Sequence, residues 1–326
     1  MSGPLLEVRS LSTHYISARG TRVTRAVDDV SLTLAEGETL GIVGESGSGK
    51  TTLALSLLRL LPPAARIVSG EIRFEGDDLL RKSDAEMRRI RGKRIAMILQ
   101  DPMASLNPLF TVGDQVAESI RVHEGASRGS AWRRAQELLR AVRISAPETR
   151  AREYPHQLSG GMRQRIVGAI AISCEPRLLI ADEPTTSLDL TIQAQYLNLL
   201  RDLQQAHHLA LIFITHNLGI VAKMCDQVAV MYAGRLVESG PVRLIYNAPA
   251  HPYTRALLES IPRLGSSRER LTAIDGQPPD PTALPGGCAF HPRCPKAMDR
   301  CRAEAPPEFV VSGSQTARCW LAAERP

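Results

Sequence analysis

No stretch of this 326-residue chain stays apolar for the ~20 residues that a bilayer-spanning helix needs. The opening Met1-Ser2-Gly3-Pro4 has no basic segment leading into an apolar core, so no signal peptide is expected and the chain reads as cytoplasmic. Basic residues are scattered, and a net charge of +6 is small for this length, so charge gives no ground for nucleic-acid binding. Closely spaced Cys-x-x-Cys pairs are absent too. In a cytosolic chain, six cysteines point to a metal or to buried thiols rather than to disulfides. What is there is ordinary for a soluble protein: 43% apolar residues, ample for a core, and 23% charged. The length suits a main domain with an appendage.

The strongest signal is Gly44-Glu45-Ser46-Gly47-Ser48-Gly49-Lys50-Thr51, set between the apolar run Leu40–Val43 and the helix-spaced Leu53–Leu58. Strand, glycine loop, helix is the setting that a phosphate-binding loop requires. Glycines let several backbone N–H groups converge on one anion, and the helix N-terminus adds the positive end of its dipole. Lys50 is then expected to reach the β- and γ-phosphates, and the Thr51 hydroxyl to sit on Mg²⁺. A nucleoside triphosphate is the expected ligand.

Upstream, Leu5–Val8, Val30–Leu34 and Leu40–Val43 read as short strands. Tyr15 either stacks on a base or fills an ordinary half-buried strand position. Gly70–Phe74 reads as a strand at a sheet edge, and Ile95–Leu99 as a buried strand ending at Gln100. Helical periodicity then dominates, as in Ala131–Val142, which suggests an inserted helical subdomain over about residues 101–165. Leu158-Ser159-Gly160-Gly161-Met162 leads into an apolar helix over Ile166–Ser173 and offers a second anion-ready terminus, a weak signal alone. Leu178–Glu183 is a buried strand ending in two carboxylates. Asp182 is placed to hold Mg²⁺, and Glu183 to accept a proton from an attacking water. A helix over about 191–205 follows, and a last buried strand, Leu209–Ile214, ends in Thr215-His216. Several strand ends thus present polar groups to one sheet edge.

Together these residues resemble the ATPase subunit of an ABC transporter, over about residues 5–240. The resemblance implies an α/β P-loop core of RecA-like fold with an antiparallel β subdomain and the helical insertion. Residues 1–240 would form this ATPase domain and 241–326 a small cysteine-rich extension. It also implies a stacking aromatic at Tyr15 and a Walker A loop over Gly44–Thr51, with Thr52 continuing the cradle. Gln100 would touch Mg²⁺ and relay nucleotide state to a membrane partner. Ser159, Gly160 and Gly161 would be the signature that caps ATP bound to a second subunit, with Asp189 of the D-loop joining them. Asp182 ends Walker B, Glu183 is the catalytic carboxylate, and His216 is the switch histidine, stabilising charge alongside Lys50. Met162 departs from the Gln more common at the signature's end. The implied switch is ATP-driven head-to-tail dimerisation.

Past residue 240 the chain turns Pro- and Gly-rich after a short helix near His251–Leu258, with too little apolar material for its own core, so something else should pin it. Cys288, Cys294, Cys301 and Cys319 suit a zinc or iron–sulfur site, whereas Cys174 and Cys225 read as small buried hydrophobes. This tail, with Phe290-His291-Pro292-Arg293-Cys294-Pro295 inside it, is similar to that of the oligopeptide/dipeptide importer ATPases, and Met162 suits them as well. That narrower resemblance implies a [4Fe–4S] cluster on the four cysteines, with zinc as the alternative. It implies a second homologous ATPase subunit in a heterodimer, two permeases and an extracytoplasmic solute-binding protein, with the chain held peripherally at the cytoplasmic face of the inner membrane. Peptides are the expected cargo, with nickel, glutathione or oligosaccharides as alternatives. A soluble ABC ATPase acting on DNA or ribosomes is disfavoured, since neither a long coiled coil nor a repeated cassette is present.

Overall fold

Two strands much longer than the sequence pattern suggests lead the chain. β1 (Leu6–Ile16) and β2 (Val23–Leu34) pair antiparallel along most of their length. Alternation in β1 is lost after Val8, where the register against β2 shifts three times before His14. Each bulge turns the following side chains to the other face, which hides a continuous strand from a period-two reading. β4 (Ala65–Phe74) pairs with the other side of β1, and the two-residue β5 (Asp77–Asp78) ends the order β2-β1-β4-β5. The segment read as a sheet edge therefore has neighbours on both sides.

The computed structural model describes residues 3–101, 105–186, 188–261 and 274–323. The chain divides into two units, one of Met1–Ala35, Thr39–Leu80 and Ile214–Pro326, the other of Glu36–Glu38 and Arg81–Phe213. In the first unit β3 (Thr39–Val43) pairs parallel with β9 (Gln227–Tyr232). β10 (Arg235–Pro241), β12 (Gln315–Ala317) and β11 (Phe309–Ser312) continue outward from β9, all antiparallel. In the second unit β6 (Ile95–Ile98) pairs parallel with β7 (Leu178–Asp182), and β8 (Ala210–Ile214) comes next in the order. Every residue of β3, β7 and β8 is buried, as strands covered on both faces require.

Helices fill the second unit between β6 and β7, including Val112–Glu124, Arg128–Ala141 and Gly160–Ile172. Each starts at a hydroxyl cap, Thr111, Ser127 or Ser159, accepting a backbone N–H of the first turn. The last of these starts six residues before the expected Ile166, because the Ser159 cap offsets the ~1 kcal/mol helix cost of a glycine. Among the described residues no helix is long and apolar enough to cross a membrane.

Past residue 300 the tail adds the β11–β12 hairpin, which no sequence pattern marks, to β10. Its own cluster is small, Ala250, Ala317 and Ala322 with Phe309 and Val311 against them, and its large side chains dock elsewhere: Tyr253 and Phe290 are fully buried in one cluster with Val43, Val230, Tyr232 and Val237 of the main body. Docking onto an existing core is the pin that its composition demanded.

Candidate nucleotide site

In the first unit the glycine loop joins β3 to the helix Lys50–Leu57. Gly44 and Gly49 hold φ angles of 154° and 106°. A Cβ would lie 2.1 Å from the Met231 carbonyl oxygen at the first and 2.0 Å from that of Ala26 at the second, so only glycine fits. Lys50 is 6% exposed, and its Nζ donates to the carbonyls of Gly44 and Glu45 at 2.8 Å each and to Ser48 Oγ at 3.3 Å. The ammonium is thus held against the loop it belongs to. Tyr15, half-buried in β1, places its hydroxyl 3.4 Å from Thr52 Oγ1. His216 is exposed just past β8, and the next residue, Asn217, caps the helix Leu218–Met224 by accepting from Ile220 N at 3.3 Å.

In the second unit β7 delivers Asp182, 1% exposed, and then Glu183 at a φ of 46°. A left-handed non-glycine residue is strained, and such strain concentrates where a side chain must be aimed. Glu183 Oε2 accepts from Thr186 Oγ1 at 2.9 Å and from Gln100 Nε2 at 3.3 Å. The fold thus brings together two residues 83 positions apart that the sequence pattern had singled out separately.

Gly160 and Gly161 open the helix capped by Ser159, but for different reasons. A Cβ on Gly161 would press on Ile192 Cγ2 at 2.7 Å, whereas a Cβ on Gly160 would meet nothing within 4 Å. Packing inside this chain accounts for the first glycine and not for the second. Asp189 caps the helix Leu190–His207, its Oδ1 accepting from Thr191 N and Ile192 N at 3.0 Å each. Ser187, before it, lies outside the described residues.

Cys288, Cys294, Cys301 and Cys319 all line one small cavity, together with His251, Phe290 and Trp320. All four thiols are free. Burial pushes those of Cys288 and Cys294 up and that of Cys319 up to about 11. Among the described residues no three His, Cys, Asp or Glu side chains stand close enough together to hold a metal ion. The donor set, four soft thiols facing one cavity, suits zinc or an iron–sulfur group, provided they draw inward. Cys174 is buried, and Cys225 packs into the Tyr253–Phe290 cluster, where burial carries its thiol far above the usual range.

Sequence reading missed two residues on the outer wall of the glycine loop. Tyr253 accepts from Glu45 N at 2.9 Å, and Arg293 forms an ion pair with the Glu45 carboxylate. Both come from the tail, more than 200 positions away, and no local pattern marks such a pairing.

Residues 27–186 match the family model described as ABC transporter, and residues 237–301 the one described as oligopeptide/dipeptide transporter, C-terminal region. The dipeptide transport ATP-binding protein of Escherichia coli K12 is 47% identical over 315 residues, 97% of this chain and 96% of that one. Its Bacillus subtilis counterpart is 48% identical over 322 residues, 98% and 96%. Among solved structures, the ATP-binding cassette MJ0796, a dimer in a post-hydrolysis state with ADP and Pi, aligns with a TM-score of 0.65. It is 26% identical and covers 73% of this chain and 99% of its own.

Proposed function

The chain belongs to the ABC transporter ATP-binding proteins, in their oligopeptide/dipeptide branch, and from that premise we propose that it hydrolyses ATP to drive peptide import through a membrane permease. The observation that carries the reading is the near-complete alignment with dipeptide transport ATP-binding proteins, extension included. Two such ATPase subunits, this chain and a homologue, would sit peripherally beneath two permeases on the cytoplasmic side, fed by a solute-binding protein outside.

In this reading Lys50 and the loop N–H groups hold the β- and γ-phosphates, and Tyr15 stacks on the base. Thr51, Gln100 and Asp182 would hold Mg²⁺, which would shield the phosphate charge. Glu183 orients and deprotonates water, and His216 stabilises charge on the phosphoryl group in flight. Ser159, Gly160, Gly161 and Asp189 face the ATP of the partner subunit, and the uncrowded Gly160 supports this role: its bare backbone leaves room for an oxyanion to approach closely.

The test is reconstitution in vesicles of the chain with its co-purifying membrane proteins. Peptide uptake should require ATP and fall to background in Lys50→Ala. Uptake of another solute class, with peptides ignored, would overturn the cargo; co-purification with ribosomes or nucleic acid instead of permeases would overturn transport.

We also infer that Cys288, Cys294, Cys301 and Cys319 hold an iron–sulfur group, with zinc the alternative, and that it staples the tail. The shared cavity supports this. Protein purified without oxygen should carry iron and acid-labile sulfide, both lost in Cys301→Ser. Zinc in their place would decide for the alternative, and neither element would refute the site.

A further inference from the structure

The second position of the glycine loop carries a carboxylate, although the loop's task is to gather an anion. Glu45 is 27% exposed in its side chain, and its charge lies beside the phosphate-binding backbone. Left alone it would repel a triphosphate. It is met by Arg293, whose side chain is only 4% exposed: Nη1 donates to Oε2 at 2.7 Å and Nη2 to Oε1 at 3.0 Å. Two parallel bonds of this kind fix direction as well as charge.

The guanidinium has no freedom to leave. Its Nε donates to the Asp275 carbonyl at 3.0 Å and Nη2 to that of Ile274 at 3.3 Å. It also lies 5.9 Å from the ring centre of Tyr232 and 6.0 Å from that of Phe290. The same aromatic group seats Tyr253, whose ring is 4.6 Å from that of Tyr232 and 5.3 Å from that of Phe290. Tyr253 in turn takes the backbone N–H of Glu45. One loop residue is thus gripped at both its main chain and its side chain, and both grips come from the extension. The carbonyl of that residue is one of the acceptors of Lys50 Nζ, so the grip also bears on where Lys50 rests.

We propose that the extension is a clamp on the phosphate loop, in which Arg293 neutralises and aims Glu45 while Tyr253 fixes its backbone, and that this clamp sets the affinity for the nucleoside triphosphate. The proposal rests on the loop being the ATP site. Arg293 and Tyr253 are positioning residues, since both act through Glu45. The Arg293 turn runs directly into Cys294, with Cys294 N donating to the His291 carbonyl at 3.2 Å. Whatever orders the cysteine cavity therefore also orders the clamp.

The experiment is titration of the full chain with a fluorescent ATP analogue and Mg²⁺. Arg293→Met strands a carboxylate beside the phosphates and should weaken binding about tenfold, ~1.4 kcal/mol, as expected of repulsion from a partly exposed and so partly screened charge. Tyr253→Phe, which keeps the ring in its core, should weaken it about threefold by loss of one hydrogen bond. The double variant E45Q/R293M removes the stranded charge and should recover most of the affinity, which repair of a merely structural defect would not do. Wild-type affinity in Arg293→Met, or no recovery in the double variant, would overturn the clamp. Unchanged binding in Lys50→Ala would instead remove the loop from the site, a separate failure that takes the clamp with it.

Discussion

Glu183→Gln is expected to bind Mg·ATP and to dimerise while hydrolysing it about 10²–10⁴-fold more slowly, the usual contribution of a positioned general base. The substitution is close to isosteric. The left-handed backbone at this position costs a glutamine what it costs a glutamate, and Thr186 Oγ1 still finds an oxygen to donate to. What disappears is the negative charge and the proton-accepting ability. Gln100 now faces a neutral amide, so one charge-assisted bond becomes an ordinary one, a small loss beside that of the base. Phosphate release in a single turnover, with dimer formation followed by size-exclusion chromatography in ATP, separates the two effects. Rapid multiple turnovers by the variant would end the assignment of Glu183 as base. Loss of ATP binding would mean that the residue holds the nucleotide instead.

The parts legible in the sequence are those in which chemistry and local periodicity coincide. A buried run such as Leu178–Ala181 followed by Asp182-Glu183 declares both a strand and a site, because the residues that build one lead directly to the other. Asp189 was read for its place in a motif, and its helix-capping bonds are equally local. The long β1–β2 pair was illegible because its bulges break alternation without breaking the ladder. The β11–β12 hairpin was illegible because strands of four and three residues carry no period to detect. The grip of Arg293 on Glu45 joins positions 248 apart, and only the fold states it.

Glu238, at the end of the ATPase body, is another residue whose role only the fold states, and its loss should be the most damaging single change for the docking of the tail. Its side chain, on β10, is 1% exposed and has no cationic partner in the bonds that hold it. Oε1 accepts from Ala250 N at 2.7 Å and from Gln315 Nε2 at 2.8 Å, and Oε2 from His251 N at 2.9 Å. One carboxylate therefore ties β10 to the residue before β12's Thr316-Ala317 pair and to the start of the helix Pro252–Glu259 that carries Tyr253. Alanine would leave the buried N–H groups of Ala250 and His251 without their acceptor and cost Gln315 Nε2 one of its two, the Ala248 carbonyl at 3.1 Å remaining; at ~1–3 kcal/mol for each lost acceptor, a net loss of about 3–5 kcal/mol is expected. Glutamine keeps one oxygen but must turn its NH₂ toward at least one N–H, so Glu238→Gln should lose less than alanine and still fall below wild type. The loss should be local first, since the tail's own cluster is small and its aromatic residues depend on docking against the body. Limited proteolysis should cut Glu238→Ala within the extension while the body persists, and affinity for ATP should drop as Tyr253 lets go of Glu45. An extension as resistant as wild type would show that the β12 pairing and the Tyr253–Phe290 cluster hold the tail without this carboxylate.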